Sequence, residues 1–598
     1  MKFLKIFSVA FMMLSFALQT TTGQSTQRNP TLQSVQRSAE LLAQTYQSQV
    51  GDIADYTTLS DVEFYSIGMH MDSTFEVVYK PETFRGRVME RLDLEISRAS
   101  DFQSAGNDIE LLLQGSGAAT KYIKDEDNPT FIVQTTDFEL IKTLRSHSKV
   151  DYIGFMGYST STNSRSSVER GQKPRGEAAG LIYDLLLGAN SSSGTRNSTS
   201  NRAGCGNVPA TELNFTVADD GSSIPWHYTE QGVTCSNSKS KGRGVKVALL
   251  DSGVSPNQPR LSTTGFKKSY AGRKLVKKGT FSKDWPFEFS DGVNDDCGHG
   301  THMAGVIAAP VYDSAIRGIA YESDLLSIRC TDDVVINTTE ELVGVYRALK
   351  KIRKGNESGY DNVSIISMSL GCPFIYNYNI AKELKKLKNN DVLVFAAAGT
   401  APHWLPKDIV IFPADLSTTI AVTGVYKNFP TVKEPCDRCH WGKKIDFVVP
   451  MQFGNVGSNQ DAEFDIVTHS LTMDSEELSN VGGSSIATAS LAGIAAVIWG
   501  ANENKNKDAT AILNKMVEYS TYPYAKDAQF GHGVVDLKGL LDVNCEADPD
   551  PCAGVTCPDG EVCVDGECIR SGGGNGIECL NGQCPPDMYC VRGVCKPY

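Results

Sequence analysis

Three stretches of this chain carry groups that could do nucleophilic chemistry. Residues 482–499, GGSSIATASLAGIAAVIW, open with a Gly-Gly-Ser-Ser turn and continue as small and apolar residues. Ala487, Ala489, Ser490, Ala492, Gly493, Ala495 and Ala496 leave little side-chain bulk, so the pattern predicts a helix buried between other elements. A hydroxyl at the start of such a helix lies at its positive end, beside unpaired backbone N–H groups. It would supply a nucleophile together with donors for the charge that attack creates. The same residues read equally well as a buried helix with a serine N-cap. Residues 245–250, VKVALL, predict a buried parallel strand that ends in Asp251-Ser252-Gly253. The carboxyl ends of strands are where open α/β sheets carry their sites. Gly298-His299-Gly300-Thr301-His302 leads into a second small-residue helix at 303–309. A nucleophilic serine needs a base, and the base needs a carboxylate to fix its tautomer. Ser485, His299 and Asp251 supply the three.

The elements around these stretches resemble the subtilisin-like serine peptidases over residues 224–543. VALLDSGV, GHGTHMAGVIAA, ISMSLGCP, VLVFAAAGT, GGSSIATASLAG and FGHGVVDLKGLL match that family's blocks, and the chain order Asp, His, Ser is the subtilisin order. The resemblance implies that Asp251, His299 and Ser485 form the triad. It makes Ser484 the replacement for the family's threonine and His302 a structural histidine. It assigns Ser369, Leu370 and Gly371, with Ala397, Ala398 and Gly399, to the backbone that pairs with an extended peptide substrate. It implies an α/β three-layer sandwich with a mostly parallel sheet. One departure stands out: the family's oxyanion asparagine is Thr400 here, a hydroxyl of shorter reach. Loss of that donor in subtilisin costs roughly 100- to 1000-fold in turnover. Thr400 is therefore a candidate oxyanion donor. It is also the feature that favours the alternative, a weakly active or inactive relative that serves binding.

Strand signals at 245–250, 325–329, 364–368, 392–397 and 420–425 alternate with helices, as a parallel sheet covered on both faces requires. A chain of 598 residues is too long for one core. Residues 1–23, with Lys2 and Lys5 before an apolar run, read as a secretory signal that directs the product outside the cell. No later segment reads as a membrane span or lipid anchor. The net charge of −13 argues against nucleic-acid binding. Residues 24–64 read as a pro-region extension with a weak helical pattern near 35–50. Residues 65–156 alternate strand (75–79, 131–134, 150–155) and helix (82–96, 137–146). They resemble the family's small ferredoxin-like inhibitory prodomain, which makes the chain's own prodomain an expected partner. Residues 157–223 are rich in Ser, Asn, Gly and Arg and predict a disordered linker holding the processing site, with Arg170, Arg175, Arg196 and Arg202 as candidates. Sequons mark Asn190, Asn197, Asn214, Asn337, Asn356 and Asn362.

The chemistry of a triad requires no cofactor. Calcium sites are common in the family, and Asp291, Asp295 and Asp296 supply loop oxygens that fit calcium, although solvated acids explain them as well; no ligand is assigned. Cys436-Asp-Arg-Cys439-His440 has the c-type haem spacing, but in an oxidising compartment it predicts disulfides. Residues 544–598 hold nine of the sixteen cysteines. Cys552, Cys557, Cys563 and Cys568 repeat as Cys579, Cys584, Cys590 and Cys595, two small disulfide-rich modules whose partner the sequence does not name.

Overall fold

The computed structural model describes residues 34, 37–42, 45, 56–90, 92, 100–157, 205, 215–217, 221–284, 290–312, 316–332, 334–336, 338–400, 407–427, 429–452, 468–474, 478–501 and 508–543, and the strand segments 561–564, 567–570, 577–578, 588–591 and 594–597. The expected signal at 1–23, the four arginines of the linker, and Asn190, Asn197, Asn214 and Asn337 lie outside these residues.

The larger unit is a seven-stranded sheet built from β5 (Lys246–Asp251), β6 (Leu275–Gly279), β7 (Asp324–Arg329), β8 (Ile365–Met368), β9 (Leu393–Ala397), β10 (Ile420–Tyr426) and β11 (Phe447–Gln452). The order across the sheet is β11-β10-β9-β8-β5-β7-β6, and every neighbouring pair is parallel. A parallel sheet must be covered on both faces, and the period-two alternation of the strands does this. Val247, Leu249, Leu325, Ile365, Leu393 and Phe395 pack with α4 (His299–Ala308) and α7 (Gly483–Ala501). Ala248, Leu250, Leu326, Ile328, Ile366, Met368, Val394 and Ala396 pack on the opposite face with α5 (Thr339–Lys354) and α6 (Tyr378–Asn389). The α/β three-layer architecture expected from the sequence is the one observed. Helix α7 is long and apolar enough to cross a membrane, but 83% of its most apolar window is buried inside the protein.

The second unit has the order α1 (Asp61–His70), β1 (Thr74–Tyr79), α2 (Ser100–Gly115), β2 (Lys121–Lys124), β3 (Thr130–Gln134), α3 (Phe138–Ser146), β4 (Val150–Phe155). Its antiparallel sheet runs β2-β3-β1-β4. One expectation fails here. The helical spacing at 82–96 does not form a helix among its described residues, which hold only a 3-10 turn at Val88–Glu90; the helix is α2, further on. Gly106 and the polar residues of α2 hid it, yet Gly106 is needed, since a Cβ there would lie 2.8 Å from the Tyr79 ring. The unit's packing also begins upstream of residue 65. Arg145 donates to Asp61, Tyr56 O and Leu59 O, and its guanidinium lies 4.4 Å from the centre of the Phe64 ring.

This unit docks along α5 and on the N-terminal end of α6. Glu76, fully buried, accepts from the backbone N–H groups of Tyr378 (2.6 Å) and Asn379 (3.1 Å), while Asn377 caps the N–H of Ile380. The Tyr346 hydroxyl donates to Asp125 (2.6 Å), and Lys350 and Lys354 pair with Asp127 at 2.8 and 2.7 Å. The Thr339 hydroxyl donates to Asp72.

The linker expectation needs a correction within its described residues. Cys205 is disulfide-bonded to Cys297, and Phe215–Val217 pairs antiparallel with Ser223–Pro225. Beyond 543, the backbone hairpin Glu561–Val564/Glu567–Arg570 sets Cys563 opposite Cys568. The matching hairpin Met588–Val591/Val594–Pro597 sets Cys590 opposite Cys595.

Candidate active site

Asp251 is the last residue of β5, and His299 and Ser485 lie in the first turns of α4 and α7. Ser369 follows β8 directly, and Ala397 closes β9. Strand carboxyl ends and helix N-termini thus converge on one edge of the sheet, where N–H groups are unpaired and the helix dipoles are positive.

The Asp251 carboxylate is 1% exposed and faces His299 Nδ1 at 2.9 Å (Oδ1) and 3.1 Å (Oδ2). A buried carboxylate on Nδ1 fixes the tautomer in which Nε2 carries the lone pair that takes up a proton. Asp251 is itself held by the Ser252 N–H at 2.8 Å and the Ser252 hydroxyl at 3.2 Å. Ser252 in turn reaches Asp295 Oδ1 at 2.9 Å and accepts from the Gly300 N–H at 3.0 Å. Gly300 is obligatory: a Cβ there would lie 2.2 Å from Gly253 O, so only glycine lets α4 approach the end of β5 this closely.

Asp295 is the residue whose role sequence reasoning missed. Its buried carboxylate accepts from the N–H groups of Cys297 (2.9 Å), Gly298 (2.7 Å) and Thr301 (2.9 Å) and from the Thr301 hydroxyl (2.6 Å). It caps the helix that carries His299, a task Gly298 has no side chain to perform. Its position three residues before that glycine was the available signal. These donors occupy it, Asp296 pairs with Arg329 at 3.0 Å, and Asp291 accepts the Lys283 N–H. No group of three or more metal-ligating side chains occurs among the described residues.

His302 is buried, and burial, reinforced by the neighbouring His299, lowers its pKa to about 4; it stays neutral. Its carbonyl accepts from Ser470 at 2.6 Å. Ser485 is half-buried; its hydroxyl donates to Ser369 O at 3.4 Å, and the Ser369 hydroxyl donates to Ser485 O at 2.7 Å. The predicted substrate segment at Ser369 is therefore bonded directly to the predicted nucleophile's own residue.

Thr400, at the end of the β9 segment, is exposed, and its side chain seats against α7: the Ser484 N–H donates to Thr400 Oγ1 at 3.0 Å. The Cys436–Cys439 disulfide lies behind it, with Thr400 and Cys439 forming an antiparallel bridge. The Cys-x-x-Cys-His stretch is thus a disulfide loop. His440 is buried under Gly399, held near a pKa of 4 by burial, with Nδ1 donating to Ile409 O at 2.9 Å. Two further cysteines, Cys330 and Cys372, are buried and free.

Residues 242–533 match the model of the subtilase family, described as Peptidase_S8. The chain is 31% identical over 211 residues to the Major intracellular serine protease of Bacillus subtilis (strain 168), covering 35% of this chain and 59% of that one. It is 26% identical over 322 residues to the Intracellular serine protease of Paenibacillus polymyxa, covering 53% and 86%. It is 24% identical over 308 residues to Subtilisin DY of Bacillus licheniformis, covering 51% and 92%. With the parallel sheet and the edge described above, this region is similar in sequence and in fold to the subtilisin-like serine peptidases. Its class is serine-type endopeptidase.

Proposed function

We propose that the protein is a secreted serine endopeptidase made as a zymogen. The observation that carries this reading is the buried Asp251–His299 pair at the strand edge, with Ser485 in the first turn of α7. In this mechanism Ser485 Oγ attacks the peptide carbonyl, and His299 takes its proton and returns it to the leaving amine. Asp251 orients His299 and stabilises its cation. The Ser485 N–H and the Thr400 hydroxyl hold the oxyanion. The backbones of Ser369–Gly371 and Ala397–Gly399 pair with the extended substrate. The unit spanning α1 to β4 acts as the chain's own inhibitor and leaves after a cut in the linker. The apolar, lysine-led segment at 1–23 supports export, and the disulfides support an oxidising compartment. The exposed sequons Asn356 and Asn362 carry glycan where the host supplies it. The Cys-rich repeats serve a partner or matrix rather than the chemistry. The relatives named intracellular differ from this chain in that expectation.

The test is expression with the native leader. The medium should contain a peptide-hydrolysing form whose N-terminus falls after residue 157. The Ser485→Ala protein should be inert. Hydrolysis that survives in Ser485→Ala would refute the assignment.

A further inference from the structure

We propose that Ser484 and Thr400 form a two-hydroxyl relay that makes Thr400 a pure hydrogen-bond donor to the oxyanion formed at Ser485. The inference rests on the peptidase reading above and assigns Ser484, the residue beside the nucleophile, a part in it.

A hydroxyl has one proton to give and two lone pairs to receive. Ser484 Oγ accepts from the Gly399 N–H at 3.2 Å and lies 2.9 Å from Thr400 Oγ1. Thr400 Oγ1 also accepts from the Ser484 N–H at 3.0 Å. The proton between the two oxygens can belong to either. If Thr400 gave it, the Ser484 proton, on a side chain only 1% exposed, would have no acceptor among the described residues. A donor buried without a partner carries its full desolvation penalty. If Ser484 gives it, every buried group is satisfied. Both lone pairs of Thr400 are then filled, by the Ser484 N–H and the Ser484 O–H. The one group left over is the Thr400 proton, on the exposed side of the pair.

The direction of the relay is therefore Gly399 N–H to Ser484 O–H to Thr400 O–H, each bond polarising the next. A threonine in this state can no longer accept. Toward a developing alkoxide it behaves as the amide N–H of an asparagine would. Position is supplied by α7: a Cβ on Gly483, whose φ is +80°, would lie 2.7 Å from Thr400 Oγ1, so the bare backbone of Gly483 is what seats the hydroxyl beside the helix start. The relay moves no proton between residues during the reaction. It only aims one donor at the oxygen that becomes negative.

The test is steady-state kinetics on the activated enzyme with a chromogenic peptide, together with inhibition by the matching peptide aldehyde, whose adduct with the serine presents an oxyanion-like oxygen. Thr400→Val should lower kcat roughly 10- to 100-fold at unchanged KM and weaken the aldehyde by a similar factor. Ser484→Ala should lower kcat several-fold in the parent but have no further effect in Thr400→Val, because Ser484 acts only through the Thr400 hydroxyl, which valine has already removed. Ser484→Thr and Thr400→Ser keep both hydroxyls and should stay near the parental rate, which guards against a folding defect. A parent that hydrolyses peptide while Thr400→Val keeps full kcat overturns the relay and leaves the peptidase reading standing. So does a Ser484→Ala loss of equal size in both backgrounds. A parent that neither labels at Ser485 nor hydrolyses peptide overturns the peptidase reading, and the relay with it.

Discussion

At the scale of single residues, the site depends on a buried carboxylate that is never left alone. Asp251 faces His299 at 2.9 Å and is backed by Ser252 and, through it, by Asp295. Asp251→Asn should keep the fold and lower kcat by roughly 10,000-fold, since an amide presents an N–H to Nδ1 and favours the wrong tautomer; kcat at neutral pH decides. Asp295→Ala removes the acceptor for three backbone N–H groups and two hydroxyls. It should cost about 3 kcal/mol of stability, read as the shift in a denaturant midpoint. An unchanged midpoint would mean that the cap is dispensable. The candidate triad residues stood out in the sequence because each ends or begins a strongly patterned element. The Thr400–Ser484 pair was legible only as a departure, because its hydrogen bonds join residues 84 apart in the chain. Asp295 was visible only as one of three loop acids, since its donors come together after α4 packs against the turn that follows β5.

Among elements, the five inner strands of the large sheet wrote themselves into the sequence as apolar runs, and α4 and α7 as runs of small residues; the buried edge strand β11, FVVPMQ, was not read. The edge strand β6, LVKKG, carries lysines that discourage edge-to-edge pairing and so did not read as a strand. The contact between β1 and α6 was invisible for another reason: a glutamate inside FEVVY looks like the polar face of a strand. Instead Glu76 is buried against two helix N–H groups, and burial, only partly offset by those bonds, raises its pKa to about 7. Burial also raises Asp72 and Glu340 at the same junction. Asp127 moves the other way: Lys350 and Lys354 hold it low despite its burial, below the pH window that matters here. A carboxyl raised by docking contributes stability that is full below its ordinary value of 4.5 and lost as pH climbs through about 7. In full-length Ser485→Ala, Glu76→Gln should therefore raise Tm relative to its parent at pH 8, by roughly 2–4 °C, with the gain vanishing near pH 4.5. A difference independent of pH would show that Glu76 is not the titrating group.

For the whole molecule, the docked α1–β4 unit and the peptidase domain share one buried core, so separating them, as the zymogen proposal requires, would expose apolar surface on both. Ser485→Ala should stay full length if the cut is its own, on a denaturing gel of the secreted protein; a processed Ser485→Ala would assign the cut to another protease. Because Cys205 is bonded to Cys297, two residues before His299, a cut after Cys205 would leave the upstream fragment attached until reduced, which comparison of reduced and unreduced gels detects. Stopping the chain after Val543 should leave kcat for a short peptide within about twofold of the parent, as none of the groups placed at the strand edge lies beyond it. The duplicated cysteines predict two terminal repeats, and the two hairpins, Cys563 opposite Cys568 and Cys590 opposite Cys595, recur at that spacing, whereas the docking face of the first unit could not be read because it is assembled from α5 and α6, more than 180 residues downstream of β4.

Ser485, on the peptidase proposal, is a nucleophile activated by His299 and Asp251. The direct measurement is mass spectrometry of the activated protein after treatment with a phosphonofluoridate. The account predicts one adduct per chain, on Ser485, with loss of peptide hydrolysis in step with labelling, and no adduct in Ser485→Ala or on Ser484. An adduct on another residue, or full hydrolysis in a fully labelled protein, would contradict it.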